Sequence, residues 1–376
     1  MAEVYPFRPS EIHHNSAASG RSKILSLIHI FSGHSFAFAL DGEDNNSNLK
    51  STVGLFRASA ASSASGYLDT VLGGSSTVQS TAFTATYTAP DPASGRFTLA
   101  LNGAGNSTGF TVYIIDASRM FILDNTSDDG EQAGEMRTQQ QAAYSAANIE
   151  GSFVLYGRGA EFNGSGGTPS AFYATLSQGA ADGAGNLTIN QSYTNNAGSY
   201  STGNTVGNPS ALAFDSVHPG RATLPSAGGV TYLYLFNANS AFEMTVQDNG
   251  SFDSGALEPQ SLPSSQSTFS DASLAGQYLS GELPLLSLDA NAGVGVYNLS
   301  ASGAITTAIT LAGQDQLAWD QPLSTSYAWD STAPGTGTFL IANGPQGEAS
   351  CAVINTTKFA CASQTVPAPS LQLMQE

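Results

Sequence analysis

Cys351 and Cys361 are the only cysteines in the chain. They flank a short polar turn of Asn355, Thr356 and Thr357. If Ile354 faces Lys358 across a hairpin, antiparallel pairing sets the two sulfurs directly opposite each other, within reach of a cross-strand disulfide. Such a bridge implies an oxidising compartment. Two buried free thiols, or a register that turns the pair apart, are the alternatives. A metal site is not expected there, because no histidine lies nearby and structural zinc takes four ligands.

A second group is aromatic. Trp319, Tyr327 and Trp329 are close in sequence, and both tryptophans of the chain are among them. Exposed, these rings would form a platform for ligand binding by stacking against sugars. Buried, they fill a core, which is the plainer reading.

Hydrolytic chemistry finds less support. Gly105, Ser107 and Gly109 match the G-x-S-x-G pattern, which has meaning on a strand-to-helix elbow. Here it bridges two strand-like runs, 97–101 and 110–115, and reads as a hairpin loop. His218 precedes Pro219 and Gly220 and reads as a loop residue. His34 stands apart from it, and no context assembles a Ser-His-Asp triad. Asp128, Asp129, Glu131 and Glu135 fall in one loop, with Asp248, Asp253 and Glu258 in a matching one. The third matching stretch, 364–371, has no acid. Paired carboxylates could serve a glycosidase or a weak calcium site, but their order is not that of an EF-hand, and a solvated loop is the expectation. No phosphate loop of the G-x-x-x-x-G-K-[ST] kind occurs. No catalytic residue, metal or cofactor is therefore expected.

Composition bounds the partners. The 376 residues carry a net charge of -18, and charged residues make up only 11%. That balance argues against nucleic acid and against anionic membrane surfaces, both of which need clustered Arg and Lys. Three lysines and an excess of small polar residues suit an exported protein. Residues 1–31 read differently: they hold three of the five histidines. The run from Leu25 to Ile30 resembles the translated end of a transposon adapter, so 1–31 are expected to be a foreign or disordered leader on a gene assembled from environmental DNA. That leader is too short and interrupted to span a membrane and lacks a clean signal-peptide cleavage site.

The rest repeats. Segments 110–123, 231–244 and 350–361 each read as an apolar run, a polar turn opened by Asp116, Asn237 or Asn355, and a second apolar run. The period is roughly 120 residues. Gly66, Gly185 and Gly303 keep the same phase, as do Gly95, Gly220 and Gly335. Residues 144–153 match 269–278, with only 32–36 surviving as their counterpart in the first copy, and Gln139, Gln260 and Gln375 close the units.

The apolar runs alternate with a period of two, as strands do. In 231–236, Tyr232, Tyr234 and Phe236 fall on one face and Leu233 and Leu235 on the other, which predicts a central or covered strand. The one helix candidate is a short linker at 139–147. Seven or eight strands per copy predict an all-β protein of three tandem small antiparallel barrels or sandwiches. The expected division is a leader at 1–31, then β modules at 32–140, 141–262 and 263–376. Each copy is long enough for its own core, so independent beads are expected.

The opening motif, the Gly185-to-Thr188 turn-strand and the closing hairpin resemble uncharacterised secreted repeat proteins of soil bacteria of the acidobacterial type. The resemblance spans 32–376 and implies an exported, extracellular or cell-surface protein with no known activity. The expected function is non-enzymatic: a β-repeat array that contacts a surface, a polysaccharide or a cell-surface protein. The alternative is a carbohydrate-binding array using the aromatics of the third copy.

Overall fold

A computed structural model describes residues 31–59, 62–103, 106–124, 130–163, 168–196, 199–203, 210–226, 228–264, 266–282, 292–312, 317–331, 336–344, 347–364 and 370–376. The leader through residue 30, Gly105, Asp128, Asp129 and Gly335 lie outside these, as does the side chain of Trp319.

Two-residue alternation makes the strands. In Arg96–Gly103, Phe97, Leu99 and Leu101 are buried while Arg96, Asn102 and Gly103 are exposed. Eight such strands close the first barrel: β1 (Ser35–Glu43), β2 (Leu49–Ala58), β3 (Ser63–Leu72), β4 (Gln79–Tyr87), β5 (Arg96–Gly103), β6 (Asn106–Ile114), β7 (Arg119–Asp124) and β8 (Glu131–Thr138). The second sheet comprises β9 (Glu150–Glu161), β10 (Ala171–Asp182), β11 (Asn186–Asn196), β12 (Ser199–Gly203), β13 (Ser210–Ala211), β14 (Ala213–Phe214), β15 (Arg221–Ser226), β16 (Gly229–Asn237), β17 (Ser240–Gln247) and β18 (Phe252–Pro259). It is open between β12 and β14 among the described residues. The third is again a closed barrel: β19 (Gly276–Glu282), β20 (Ala292–Leu299), β21 (Ala304–Ala312), β22 (Leu317–Trp329), β23 (Thr338–Gly344), β24 (Gly347–Asn355), β25 (Lys358–Ser363) and β26 (Leu371–Gln375). The protein is all-β, with barrels rather than sandwiches at both ends. Neighbours pair antiparallel throughout, and closure removes the exposed edges an open sheet would carry.

The expected linker helix does not form. Only a 3-10 turn, Ala146–Asn148, follows at its end, capped by Ser145. Asp271–Ser273 repeats it behind Ser270. Residues 139 and 140 are instead drawn into hydrogen bonds between barrels.

Register aligns the copies better than sequence does. Phe36, Phe153 and Tyr278 pair with Phe56, Gly179 and Tyr297. From that origin, the residues opening the third strand of each copy are Ser62, Gly185 and Gly303. Each has positive φ (58°, 102°, 78°), and each accepts the amide of Tyr87, Leu212 or Tyr327. The sequence match to Gly66 was four residues late, because Gly66 lies inside β3 where Phe83 and Phe56 leave no room for a Cβ. Likewise the counterpart of Gly95 and Gly220 is Gly337 rather than Gly335. All three have positive φ and accept the amides of Ile114, Leu235 and Val353. Gln375 pairs within β26 and is not equivalent to Gln139 and Gln260, which follow their last strands.

Cys351 and Cys361 face each other in β24 and β25 and form a disulfide. The pairing around them has one correction. Asn355 pairs with Lys358, and the register shifts between Val353 and Asn355, so Ile354 is the bulge and does not face Lys358. The hairpin of β16 and β17 shifts at the equivalent place, between Leu235 and Asn237.

The copies are not independent beads. Ala37, Leu49, Val53, Leu55 and Val71 of the first barrel share one apolar cluster with Phe162, Tyr234, Phe242, Met244 and Phe252 of the second sheet. Val154, Tyr156, Ala174 and Leu176 share another with Ala352, Ile354, Ala360, Ala362 and Leu371 of the third. Strands of a small barrel have two faces, and these sequences made both apolar, so each outer face needs a neighbour. A glutamine fixes each joint. Gln139 Nε2 donates to the Leu235 carbonyl and Gln260 Nε2 to that of Val353, while the Gln140 and Ser261 amides donate to Phe236 and Ile354.

Phe31, assigned by sequence to the foreign leader, is 1% exposed. It packs on Phe36, Phe56, Tyr87 and Phe97 and plugs one end of the first barrel.

Candidate functional site

The interior of the first barrel changes character along its axis. Near Phe31 it is aromatic: Phe36, Phe56 and Phe97. Gly54 and Gly66 make this packing fit, since a Cβ at either would meet the ring of Phe38 or Phe83 at 2.5 Å. Toward the other end the inward positions of β2 and β3 become Thr52, Lys50 and Thr70. There a cavity of ≈ 280 Å³ opens, lined by these three with Phe38, Leu40 and Gln132. Thr52 and Thr70 share a hydrogen bond of 3.1 Å. Gln132, on β8, is 4% exposed and donates at 3.5 Å to the Leu40 carbonyl and to Thr52. At the rim, burial works to raise Asp44, but hydrogen bonds from Asn48 and Asn46 outweigh it and hold the carboxyl below its ordinary range. The wall thus offers neutral donors and acceptors over an apolar floor, with one lysine and one aspartate at the lip.

The same interior place in the second sheet carries different chemistry. Register puts Thr175 where the first barrel has Thr52, and Asp253 where it has Gln132. Tyr173 and Thr175 hydroxyls donate to Asp253 at 3.1 and 3.4 Å, and Thr245 donates to Glu243. Burial raises both acids; the Asp253 charge raises Glu243 further, while the Tyr173 and Thr175 hydrogen bonds partly offset the rise of Asp253. Glu243 is 1% and Asp253 7% exposed.

The sequence candidates disperse. Tyr327 is 6% exposed and packs on Phe339 and Trp329, whose Nε1 donates to Asp271 at 2.6 Å. Both belong to the wall of the third core. Trp319 lies ten residues back along β22, roughly 30 Å at 3.3 Å per residue, and its side chain lies outside the described residues. Ser107 lies within β6 opposite Asn102, so the G-x-S-x-G run is a hairpin and not an elbow. His218 Nδ1 sits 2.8 Å from Asp215 and its ring stacks on Tyr67, inside the joint between the first two sheets.

Nor do the described acids Glu135, Asp253 and Glu258 form a loop cluster. Glu135 is held by Arg119 and Arg137, Asp253 is interior, and Glu258 takes hydrogen bonds from Tyr156 and Lys358. Among the described residues no three His, Cys, Asp or Glu are placed to hold a metal. The expectation of a solvated loop misses the burial of Asp253.

Sequence reasoning missed Asp69, Glu243 and the mouth residues. Asp69 is fully buried between Arg221 Nε (2.8 Å), the Tyr234 hydroxyl (2.6 Å) and Ser80 (2.5 Å). The signal for Glu243 was present: it is an acid between Phe242 and Met244, at the parity of the inward Leu233 and Leu235 with which β17 pairs. For the mouth, Lys50 and Thr52 share the parity of Phe56.

No helix of the described residues is long and apolar enough to cross a membrane. No protein-family model matches the chain, and no curated protein matches it significantly. Among solved structures it is similar to the isotype 1 transferrin binding protein B of Neisseria meningitidis serogroup B. That match has 11% identity and a TM-score of 0.21, over 86% of this chain and 64% of the other. The chain thus spans less than two thirds of that protein's length. A mutant transferrin binding protein B from Haemophilus parasuis matches with 8% identity and a TM-score of 0.22, over 91% and 75%. The intact Ap-TbpB with its N and C lobes matches with 9% identity and a TM-score of 0.21, over 91% and 75%.

Proposed function

We propose that this is an exported, non-enzymatic β-repeat protein of the cell surface or extracellular space that works by binding, with the mouth of the first barrel as its recognition site. One observation carries the reading: the aromatic interior gives way at one end to a ring of Thr52, Thr70 and Gln132 over an apolar floor. A cavity of ≈ 280 Å³ is at the small end of ligand sites. It suits an uncharged polar side chain or loop tip offered by a partner protein. The groups with catalytic chemistry support the same reading, because Asp69, Asp215, His218 and Arg221 are engaged with each other in a joint. The disulfide fits an oxidising location, and the resemblance to secreted repeat proteins of soil bacteria agrees with it.

A second reading has its own observation: the same hydroxyls and amide would hydrogen-bond sugar hydroxyls. Peptide and glycan arrays probed with the wild type and with the double variant Thr52→Val, Gln132→Leu separate the two. Peptide binding lost in the variant supports the lead. Glycan binding lost in the variant moves the assignment to carbohydrate. Binding that ignores the variant, or turnover on a broad hydrolase panel, overturns the site.

A further inference from the structure

The two joints within the chain are the same joint twice, and the first and third copies carry its two halves uncovered by any described residue. Each copy has a leading face, turned to the copy before it, and a trailing face, turned to the copy after it. Common register identifies the positions. On the leading face, Tyr113, Ile115, Phe121 and Leu123 of the first barrel correspond to Tyr234, Phe236, Phe242 and Met244 of the second sheet. In the third barrel the counterparts are Ala352, Ile354, Ala360 and Ala362. On the trailing face, Ala37 and Val53 correspond to Val154 and Leu176, and to Leu279 and Val294.

Exposure follows position in the row. Where a neighbour is present, Tyr234 and Met244 are 0%, Phe242 is 6%, and the third-barrel residues are at most 1% exposed. On the first barrel, where no described residue covers this face, Tyr113, Ile115, Phe121 and Leu123 are 38%, 47%, 48% and 43% exposed. The trailing face behaves alike. Ala37, Val53, Val154 and Leu176 are 0% exposed, but Leu279 is 63% and Val294 is 59%. Scattered single apolar residues on a surface need no explanation, but contiguous apolar faces mark contact sites.

The free halves also match in size. At the first joint large leading side chains (Tyr234, Phe242, Met244) meet small trailing ones (Ala37, Ala39). At the second joint small leading alanines meet Tyr156 and Leu176. The free leading face is large. The free trailing face has Gly281 at the position of Ala39 and Tyr156, where a Cβ would meet nothing within 4 Å. The small residue at the Ala39 position repeats the first joint, while Leu279 stands where that joint has Ala37.

We infer that the chain associates head to tail with a second copy of itself, the trailing face of one third barrel seating on the leading face of the next first barrel. The contact is heterologous, so it builds open rows or closes into a ring.

The test uses the full chain and two surface variants, Phe121→Asp on the leading face and Val294→Asp on the trailing face. Sedimentation velocity over a concentration series should show association of the wild type. It should show at least a tenfold weaker association for each variant alone, with unchanged circular dichroism and melting. An equimolar mixture should form a 1:1 dimer and nothing larger, since each variant keeps one intact half. A wild type that stays monomeric at every concentration overturns the inference, as do variants that associate like the wild type or a mixture that does not recombine.

Discussion

The two joints share a frame and differ in filling. Both use a glutamine after the last strand, a positive-φ glycine, and a bulge whose carbonyls receive the incoming chain. The first then buries Asp69 with Arg221 and Tyr234, and stacks His218 on Tyr67. Among the described residues the second has no such centre: Lys358 pairs with Glu258 at its margin, and alanines meet Tyr156 and Leu176. Backbone geometry is therefore what repeats, while side-chain volume is traded between the faces. Close packing makes that trade obligatory, since a gap or an extra methylene on one face must be answered on the other.

The charged centre of the first joint gives the largest expected effect. Arg221→Ala leaves Asp69 buried without its cation and should cost about 3–5 kcal/mol by urea denaturation. Lys358→Met at the second joint should cost about 1–3 kcal/mol. Equal losses would mean the two joints are held alike. Packing comes next. Ala360→Phe copies the first joint's large residue into the second and should cost about 1–3 kcal/mol by overpacking. Adding Tyr156→Ala should recover part of it, and a double-mutant cycle reads the coupling. Strict additivity would break the volume argument.

The buried acids sharpen the comparison through pH. Glu243 and Asp253 have folded pKa values raised by burial, Glu243 also by the charge of Asp253, and Asp253 to about 7. In the unfolded chain they ionise near 4. The folded state then binds more protons between these values, so stability falls as pH rises from about 4 to 7. The variant Glu243→Gln, Asp253→Asn should flatten that slope in denaturation curves taken across the window; an unchanged slope would place its origin elsewhere. The smallest effect is the clamp: Gln260→Leu should cost about 1 kcal/mol, with Gln139→Leu the same, and unequal losses would mean the glutamines are not equivalent.

Much of the fold was legible because it is written in local pattern. Alternation marked β5 and β16, and the hairpin marked the disulfide pair. The two apolar faces of 231–236 marked a covered strand, and the first barrel covers it. What failed needed partners. Gly335 and Gly337 are two residues apart and equally plausible in sequence; only the hydrogen bond to Val353 chooses between them. Tyr327 and Trp329 read the same exposed or buried until Phe339 and Asp271 are placed around them. The mouth was hidden because threonine and glutamine at inward parity resemble ordinary solvated strand residues until the strands close.

The central claim is that successive copies are welded by one recurring joint. Native-state hydrogen exchange at the Gln140 and Ser261 amides addresses it most directly, since these donate across the joints to Phe236 and Ile354. Slow exchange at both, comparable to strand amides of the barrels, is the expected result. Exchange at the rate of an open linker at either position would mean the barrels hang separately.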